Sequence, residues 1–496
     1  MTTSTSVVSR RGILNAAMVA GAVPALIPVA ASSAEQAPVG ALQKNTNTEG
    51  GQTVTLAKYG AALRYEDIPA PVLQRAKDAI TDVVGAIIFG AQLPWSKMII
   101  AYARATGPGG KSAIIGAGGG NVQAPMAAFA HGAMAHAFEL DNLTRPDSGS
   151  HPGAALFSSG IAVAQAHGLS GRALVTAFVA GAEVMMRIGY ATLHSDEERG
   201  FHAPGASGPF GAATVTGHLR GFDVKKMTNA LGIAASCSSG LLAFAHSGDG
   251  AMVKRFNMGR GAEGGVLAAS LAAEGFEGPS KVVECEAGFL HAFCPEWDMA
   301  LLTEGLGQSF KTMNIMIKRY ACHITAHNPV EGIRNLRAEH GFKPEDIASI
   351  SIAGSQRMAT INNIPEPPDA LLAQFSIPFC VALSMYRDPI DPRSYDANVV
   401  KDPRILALTK LVTMVVTQGQ SNRDPTTIVT VKLKDGREVS TKVTAFTGTP
   451  EHPLDRAGLK EKFMLLTADH PKAKMSDLFD RLQRIDTETS LDWLRL

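Results

Sequence analysis

The texture of the chain predicts a mainly α-helical fold, a large helical domain followed by a smaller α+β domain. Alanine and glycine are abundant, while Phe, Trp and Tyr make up only 6% of the 496 residues, a composition that suits closely packed helices better than a sandwich or barrel. Apolar residues recur at helical spacing from residue 53 to about 305. Beyond 306 the pattern turns to alternating segments around an amphipathic helix, ending in a hairpin. Charge is balanced, 46 Lys plus Arg against 45 Asp plus Glu, without the clustered basic excess that a nucleic-acid partner requires.

Residues 1–34 read as a twin-arginine signal peptide. Arg10 and Arg11 precede a moderately apolar run, and Ser32, Ser33 and Ala34 supply the small residues of a cleavage site after Ala34. Pro24 and Pro28 interrupt that run, which falls short of the ~20 apolar residues needed to span a bilayer. Residues 35–52 form a polar linker, expected to be disordered. These features predict a periplasmic protein with no stable membrane insertion after cleavage. In an oxidising destination five cysteines invite a disulfide reading, and Cys285 and Cys294 are close enough for a bridge. Cys237, Cys322 and Cys380 read as core or site-wall residues, and the absence of a CxxC pair argues against a thiolate zinc site.

Within 53–305, Ile68, Val72, Ala76, Ile80 and Val83 mark an amphipathic helix with Pro71 near its start. The patch GPGGKSAIIGAGGGN lacks the leading glycine of a phosphate loop and is a connecting loop or short hairpin. The stretch HGAMAHAFELDNLTRPDSGSHPGAA concentrates ionisable groups. A helix there would place His131, Ala135 and Glu139 on one line, with His136 and Glu139 three apart. It should fray near Asp141 and Asn142, and a loop then delivers His151 to the next helix. The spacing leaves two readings open, a site or merely a capped turn with a satisfied loop histidine. Helices follow over 153–168 and 170–187. His202, flanked by glycines, is expected to face a cavity. Lys254, Arg255 and Arg260 cluster around a helix start, where cations oppose the dipole unless an anion binds; Arg255 alone reads as a solvated basic turn.

Residues 306–448 carry the α+β domain. KTMNIMIKRYACHITAH begins as a strand and runs into a loop, NPVEGIRNLRAEHGF is an amphipathic helix, and IASISIAGS is a strand. AQFSIPFCVALSMY is a buried helix, and TIVTVKLKDGREVSTKVTAF is a hairpin turning on Asp435 and Gly436. Cys322, His323 and His327 could share an ion on a helix, but the segment reads as a loop without a carboxylate, so no metal is expected. Residues 449–496 are helical and return to the first domain.

The ordered segments RAKDAITDVVGAIIFG, GAMAHAFELDN with HPGAA, GFH with GPFGAA, KRFNMGRGAEGGVLAASLAAEGFEGP, KRYACHITAH and AQFSIPFCVAL, with the late HPL and KF, resemble the MmgE/PrpD family. That family includes 2-methylcitrate dehydratases, cis-aconitate decarboxylases and an iminodisuccinate epimerase. The resemblance covers nearly all of the mature chain. It implies that the α+β domain is a lid, that the chain is a homodimer, and that the cleft works without cofactor or metal. Carried over by residue, it points to Asp141, His151, His202, Lys254 and His327 as catalytic; Glu139, Arg260 and Tyr320 are expected beside them as substrate-binding residues. His151 and Lys254 would lie on the helical side of the cleft and His327 on the lid. Family members often read Asp, an apolar residue, Asp-Asp and Thr where this chain has Glu139, Leu140, Asp141, Asn142 and Leu143.

The chemistry expected of these residues is removal of a weakly acidic proton beside a carboxylate, which needs a positioned base and cations to hold the enolate-like dianion. The expectation is a cofactor-independent lyase, a hydro-lyase, acting on a small di- or tricarboxylate. Epimerisation or decarboxylation through the same carbanion is the alternative within enzymes, and a non-catalytic exported carboxylate-binding protein is the alternative outside them. Export gives the first prediction. Replacing Arg10 and Arg11 together by lysine should leave precursor in the cytoplasm on cell fractionation, and unchanged periplasmic mature protein would refute the twin-arginine reading.

Overall fold

The computed structural model describes residues 50–144, 148–245 and 252–496. The signal peptide and nearly all of the linker lie outside the described residues, as does 145–147 of the loop before His151. Helix dominates, as the composition predicts. The first part of the chain runs α1 (Gln52–Ala62), α2 (Ala70–Ala91), α3 (Pro94–Thr106), a short strand β1 (Pro108–Ser112) and α4 (Ala124–Ala135). It continues through α5 (Ser158–His167), α6 (Gly171–Ala191), α7 (Ala203–Leu219), α8 (Val224–Ala235), α9 (Val253–Ala273) and the short α10 (Phe289–Phe293). β1 bridges to Val122, so the glycine-rich patch is a small hairpin.

Two apolar clusters fill this helical body. One joins α2, α4, α5 and α6 and takes in the C-terminal helices α16 (Arg456–Leu466) and α17 (Lys472–Leu482) through Phe463 and Phe479. The other joins α1, α6, α7, α8 and α9. Close approach depends on small residues. A Cβ on Gly90 of α2 would sit 2.1 Å from the Met134 carbonyl of α4, so only glycine lets these helices meet there.

The α+β part comprises α11 (His327–His340), β2 (Ile347–Gly354), α12 (Gln356–Ile361), α13 (Ala370–Phe375), α14 (Ile377–Ser384), α15 (Pro403–Thr409), β3 (Val412–Val416), β4 (Thr427–Leu433) and β5 (Glu438–Val443). The sheet order is β3-β2-β4-β5, with β3 parallel to β2 and the other pairs antiparallel. Its inward residues, Ile350, Ile352, Val429 and Val431, pack with α11 and α14 in one apolar cluster that also takes in Phe89, Phe138 and Leu140 from the helical body. The β4–β5 loop has three residues rather than the expected two. Leu433 N–H bonds the Arg437 carbonyl at 2.8 Å and Gly436 takes φ 92°, the geometry of a turn closed by a left-handed residue.

The strand expected over KTMNIMIKRY is not in the sheet. Its place is taken by β3, from LVTMVV, and residues 315–320 instead run extended between two other segments. Met316 exchanges backbone hydrogen bonds with Leu143, and Ile317 N–H donates to Gly448 O at 2.9 Å. Gly448 has φ 124°, and a Cβ there would fall 2.1 Å from the Ile317 carbonyl. The bridge that the spacing of Cys285 and Cys294 left open is not formed, since all five cysteines are free. Gly448→Ala should therefore strain the segment that carries Lys318. A urea titration is expected to show a loss of about 1–3 kcal/mol, and an unchanged midpoint would contradict this account.

Candidate active site

Helix α4 ends sooner than its spacing predicts. His136 is the C-cap and residues 137–144 form tight turns, so Glu139 and Asp141 project from a turn instead of a helix face. The Ala137 carbonyl accepts from Trp95 Nε1 at 3.1 Å and from Arg255 Nε at 3.0 Å, and the Leu140 carbonyl accepts from Lys462 Nζ at 2.7 Å. Cationic donors on carbonyls that leave a helix stabilise such an ending. Arg255 is thus a buried cap lying 4.8 Å from the Trp95 ring, contrary to its reading as a solvated turn.

Asp141 is fully buried and its carboxylate bridges two imidazoles. His136 Nδ1 lies 3.1 Å and His151 Nδ1 2.8 Å from Oδ2. Burial works to raise the Asp141 carboxyl, but His151 and His136 outweigh it and hold it well below its ordinary range. Burial likewise drives His136 well below its ordinary value despite Asp141. A neutral His136 that donates from Nδ1 carries its lone pair on Nε2, an atom without a hydrogen-bond partner among the described residues. The His202 ring sits 5.7 Å from that of His136, and His202 Nδ1 meets Asn257 Nδ2 at 3.3 Å. His151 enters just before the π turn Gly153–Phe157 that opens α5, a local widening common at functional sites.

Beside this group lies a cationic one. Glu139 pairs through Oε1 with Lys254 Nζ and through Oε2 with Lys318 Nζ at 2.6 Å, and all three side chains are buried. Two lysines thus share one carboxylate away from water. Burial, with like charge from Lys318 and Arg255, lowers Lys254 well below its ordinary value. Lys254 is also 4.9 Å from the Phe375 ring, on which His323 stacks at 4.6 Å.

The arrangement therefore brings together Asp141, His151, His202, Lys254 and Glu139. It adds His136, noted in sequence only as a helix position, and Lys318, hidden inside an expected strand. Three expected residues lie elsewhere. His327 is fully buried, its Nδ1 3.3 Å from the His323 carbonyl and its Nε2 accepting from Tyr320 N–H at 3.4 Å, between the Tyr320 and Phe446 rings. Both ring nitrogens face backbone, which is how a core histidine is satisfied. Tyr320 is buried and directs its hydroxyl to Glu331. Arg260 points away from Lys254 on the far side of α9 and pairs with Glu263.

Among the described residues, the group able to hold a metal is not Cys322 with the later histidines but His136, Asp141 and His151, whose ligand atoms lie within 4.8 Å of one another. The 2.8–3.2 Å contacts inside it are equally hydrogen bonds from two Nδ1–H groups to one carboxylate, which needs no ion. Dialysis against a chelator is expected to leave activity intact. Loss that zinc restores would assign the three side chains to a metal.

A mainly helical body, an appended α+β part and a buried site of histidines on aspartate beside lysines on glutamate together define a class of protein. The chain belongs to the MmgE/PrpD family: the MmgE/PrpD N-terminal domain matches residues 54–302 and the C-terminal domain residues 320–484. Among its relatives is a cis-aconitate decarboxylase of Aspergillus terreus, 27% identical over 483 residues, covering 90% of this chain and 96% of that one. The human cis-aconitate decarboxylase is 26% identical over 407 residues, covering 79% and 82%, and the mouse one 23% identical over 416 residues, covering 81% and 83%.

Proposed function

We propose that the protein is a lyase that decarboxylates a small unsaturated tricarboxylate of the cis-aconitate kind. The observation that carries the proposal is the pair of buried lysines, Lys254 and Lys318, that share the one carboxylate of Glu139. Retained substrate carboxylates would pair with those lysines. In the reaction the bond to the departing carboxylate breaks, CO₂ leaves, and its electron pair spreads over the neighbouring double bond and carboxylate as an enolate-like dianion. Fixed cations favour that dianion. A proton must then reach carbon, and His151, oriented through Nδ1 by Asp141, is the donor we assign. Lys254, whose proton is loosened by burial, is positioned among the cations that hold the charge. The names of the relatives, which cover 79% to 90% of this chain, support the same chemistry.

Dehydration of a hydroxy-tricarboxylate is the second reading. It is favoured by one observation, the Asp141-oriented His151, which suits a base as well as an acid. In place of His327 we assign His323 as the α+β histidine nearest the substrate, because it is only partly buried and stacks on the ring beside Lys254.

Incubation of the purified protein with cis-aconitate in deuterated water is expected to release CO₂ and a dicarboxylate one carbon shorter, with deuterium on carbon. Hydration without CO₂ would favour the second reading, and neither product would refute both. On the substrate so established, His151→Ala and Asp141→Asn should each lower turnover by roughly 10²-fold to 10⁴-fold. His323→Ala should lower turnover with an unchanged melting temperature, whereas His327→Ala should chiefly lower the melting temperature. The reverse pattern would return chemistry to His327.

A further inference from the structure

The Phe375 ring, which meets both Lys254 and His323, sits at the junction of α13 and α14, and one side chain ties that junction to His323. Asn362, the residue that ends α12, is buried. Its carbonyl accepts from Ile377 N–H at 2.9 Å, and its Nδ2 donates to the Phe375 carbonyl at 2.9 Å. The same Nδ2 lies 3.5 Å from Nδ1 of His323. His323 is held on its other sides as well. Its backbone N–H donates to the Gln374 carbonyl at 2.9 Å, its Nδ1 meets Thr325 Oγ1 at 2.9 Å, and its ring lies on Phe375 with an interplanar angle of 22°. Packing alone does not account for the amide, because Asn362 Oδ1 is buried without a hydrogen-bond partner among the described residues. Leaving a buried acceptor unpaired is costly, so the NH₂ end is the part of this side chain that the structure uses.

We propose that Asn362 is a positioning residue that sets the proton of His323 on Nε2, so that the neutral ring donates a hydrogen bond to the substrate. The proposal rests on the assignment of His323 as the α+β histidine nearest the substrate. A neutral imidazole has one donor and one acceptor nitrogen, and its neighbours decide which is which. The Phe375 carbonyl only accepts, so the amide must turn its nitrogen that way, one hydrogen on the carbonyl and the second left for Nδ1. The other neighbour of Nδ1 is a hydroxyl, which can donate as well as accept. A proton on Nδ1 would meet a hydrogen of the amide, whereas a lone pair there accepts it. His136 and His151 are the reverse case, since the Asp141 carboxylate only accepts and draws the hydrogen to Nδ1. His202 follows His323, its Nδ1 meeting Asn257 Nδ2 at 3.3 Å. The imidazoles thus fall into two sets. Rings held by the carboxylate present a lone pair from Nε2 when neutral, and rings held by amides present N–H. A neutral N–H donor stabilises charge on the oxygens of an enolate-like dianion without setting a further cation beside Lys254.

Nitrogen NMR of the purified protein with ring-labelled histidine, recorded above neutral pH, tests this, the His323 signals being those lost in His323→Gln. The wild type is expected to show His323 protonated on Nε2. Asn362→Asp, which offers Nδ1 an acceptor of the same shape, should move the proton to Nδ1. Thr325→Val should leave it on Nε2, because the amide and not the hydroxyl sets the tautomer. On the substrate that the protein turns over, Asn362→Asp should lower kcat by roughly 10²-fold with little change in KM, the pattern of a donor that acts in the transition state. A wild-type ring protonated on Nδ1 overturns the proposal, as does a tautomer that Asn362→Asp leaves unchanged or that Thr325→Val reverses. Should Asn362→Asp fail to fold, the wild type and Thr325→Val decide. The ring signals need no substrate, so a protein inactive on cis-aconitate with the tautomers as stated refutes the decarboxylase and supports the role of Asn362.

Discussion

One carboxylate holds two lysines together out of water, and the site is arranged around that constraint. Lys254 comes from the start of α9, Lys318 from an extended segment beyond the helical body, and Glu139 from the turn after α4. Burying an ion without a partner costs several kcal/mol, and removing one member of a buried pair typically costs about 3–5 kcal/mol. The three backbones must therefore be fixed independently. Arg255 and Trp95 anchor the turn through the Ala137 carbonyl, and Leu143 and Gly448 clamp the segment bearing Lys318. Glutamate at 139 has the reach to place one oxygen on each lysine.

A second buried pair does the same for Asp141. Lys462, from α16, donates to Asp82 Oδ1 at 2.5 Å and to the Leu140 carbonyl, and Asn142 donates to Asp82 Oδ2 at 2.9 Å while its own oxygen accepts from Gly153 N–H. The amide ties the turn to α2 and to the chain that carries His151. It faces Asp82 rather than the lysines, so the departure from the family's second acid falls on the scaffold. An aspartate at 142 would set two carboxylates against each other, with Lys462 as counterion to both; the amide removes that repulsion. The C-terminal helices thus contribute a cation beneath the site as well as apolar packing.

Much of this was legible in the sequence, and the failures have physical causes. Helical periodicity located the body, and the abundance of alanine and glycine announced close packing. His131, aligned in sequence with Glu139, proved to be core: burial lowers it to about 4 and its Nε2 accepts from Ile115 N–H at 2.9 Å. Because the helix stops at Ala135, spacing could not locate Glu139 or pair it with two lysines remote in sequence. Alternation over 315–320 suggested a strand, since a segment clamped on each side alternates like one. His323 and His327 have the same local chemistry, and only the backbone path decides which ring lies inside the core.

The charge arrangement also bears on how a substrate would enter. Glu139 already occupies the lysines with a carboxylate, so a substrate carboxylate competes with a group of the same charge and geometry. Such an exchange never leaves a bare ammonium buried, and a large desolvation barrier is avoided. Lys318 is the member that can be given up most readily, because it belongs to an extended segment clamped by a few backbone hydrogen bonds. Lys254 is held by a helix packed along most of its length. A substrate that takes over Lys318 leaves Glu139 on Lys254, so each lysine keeps a carboxylate partner.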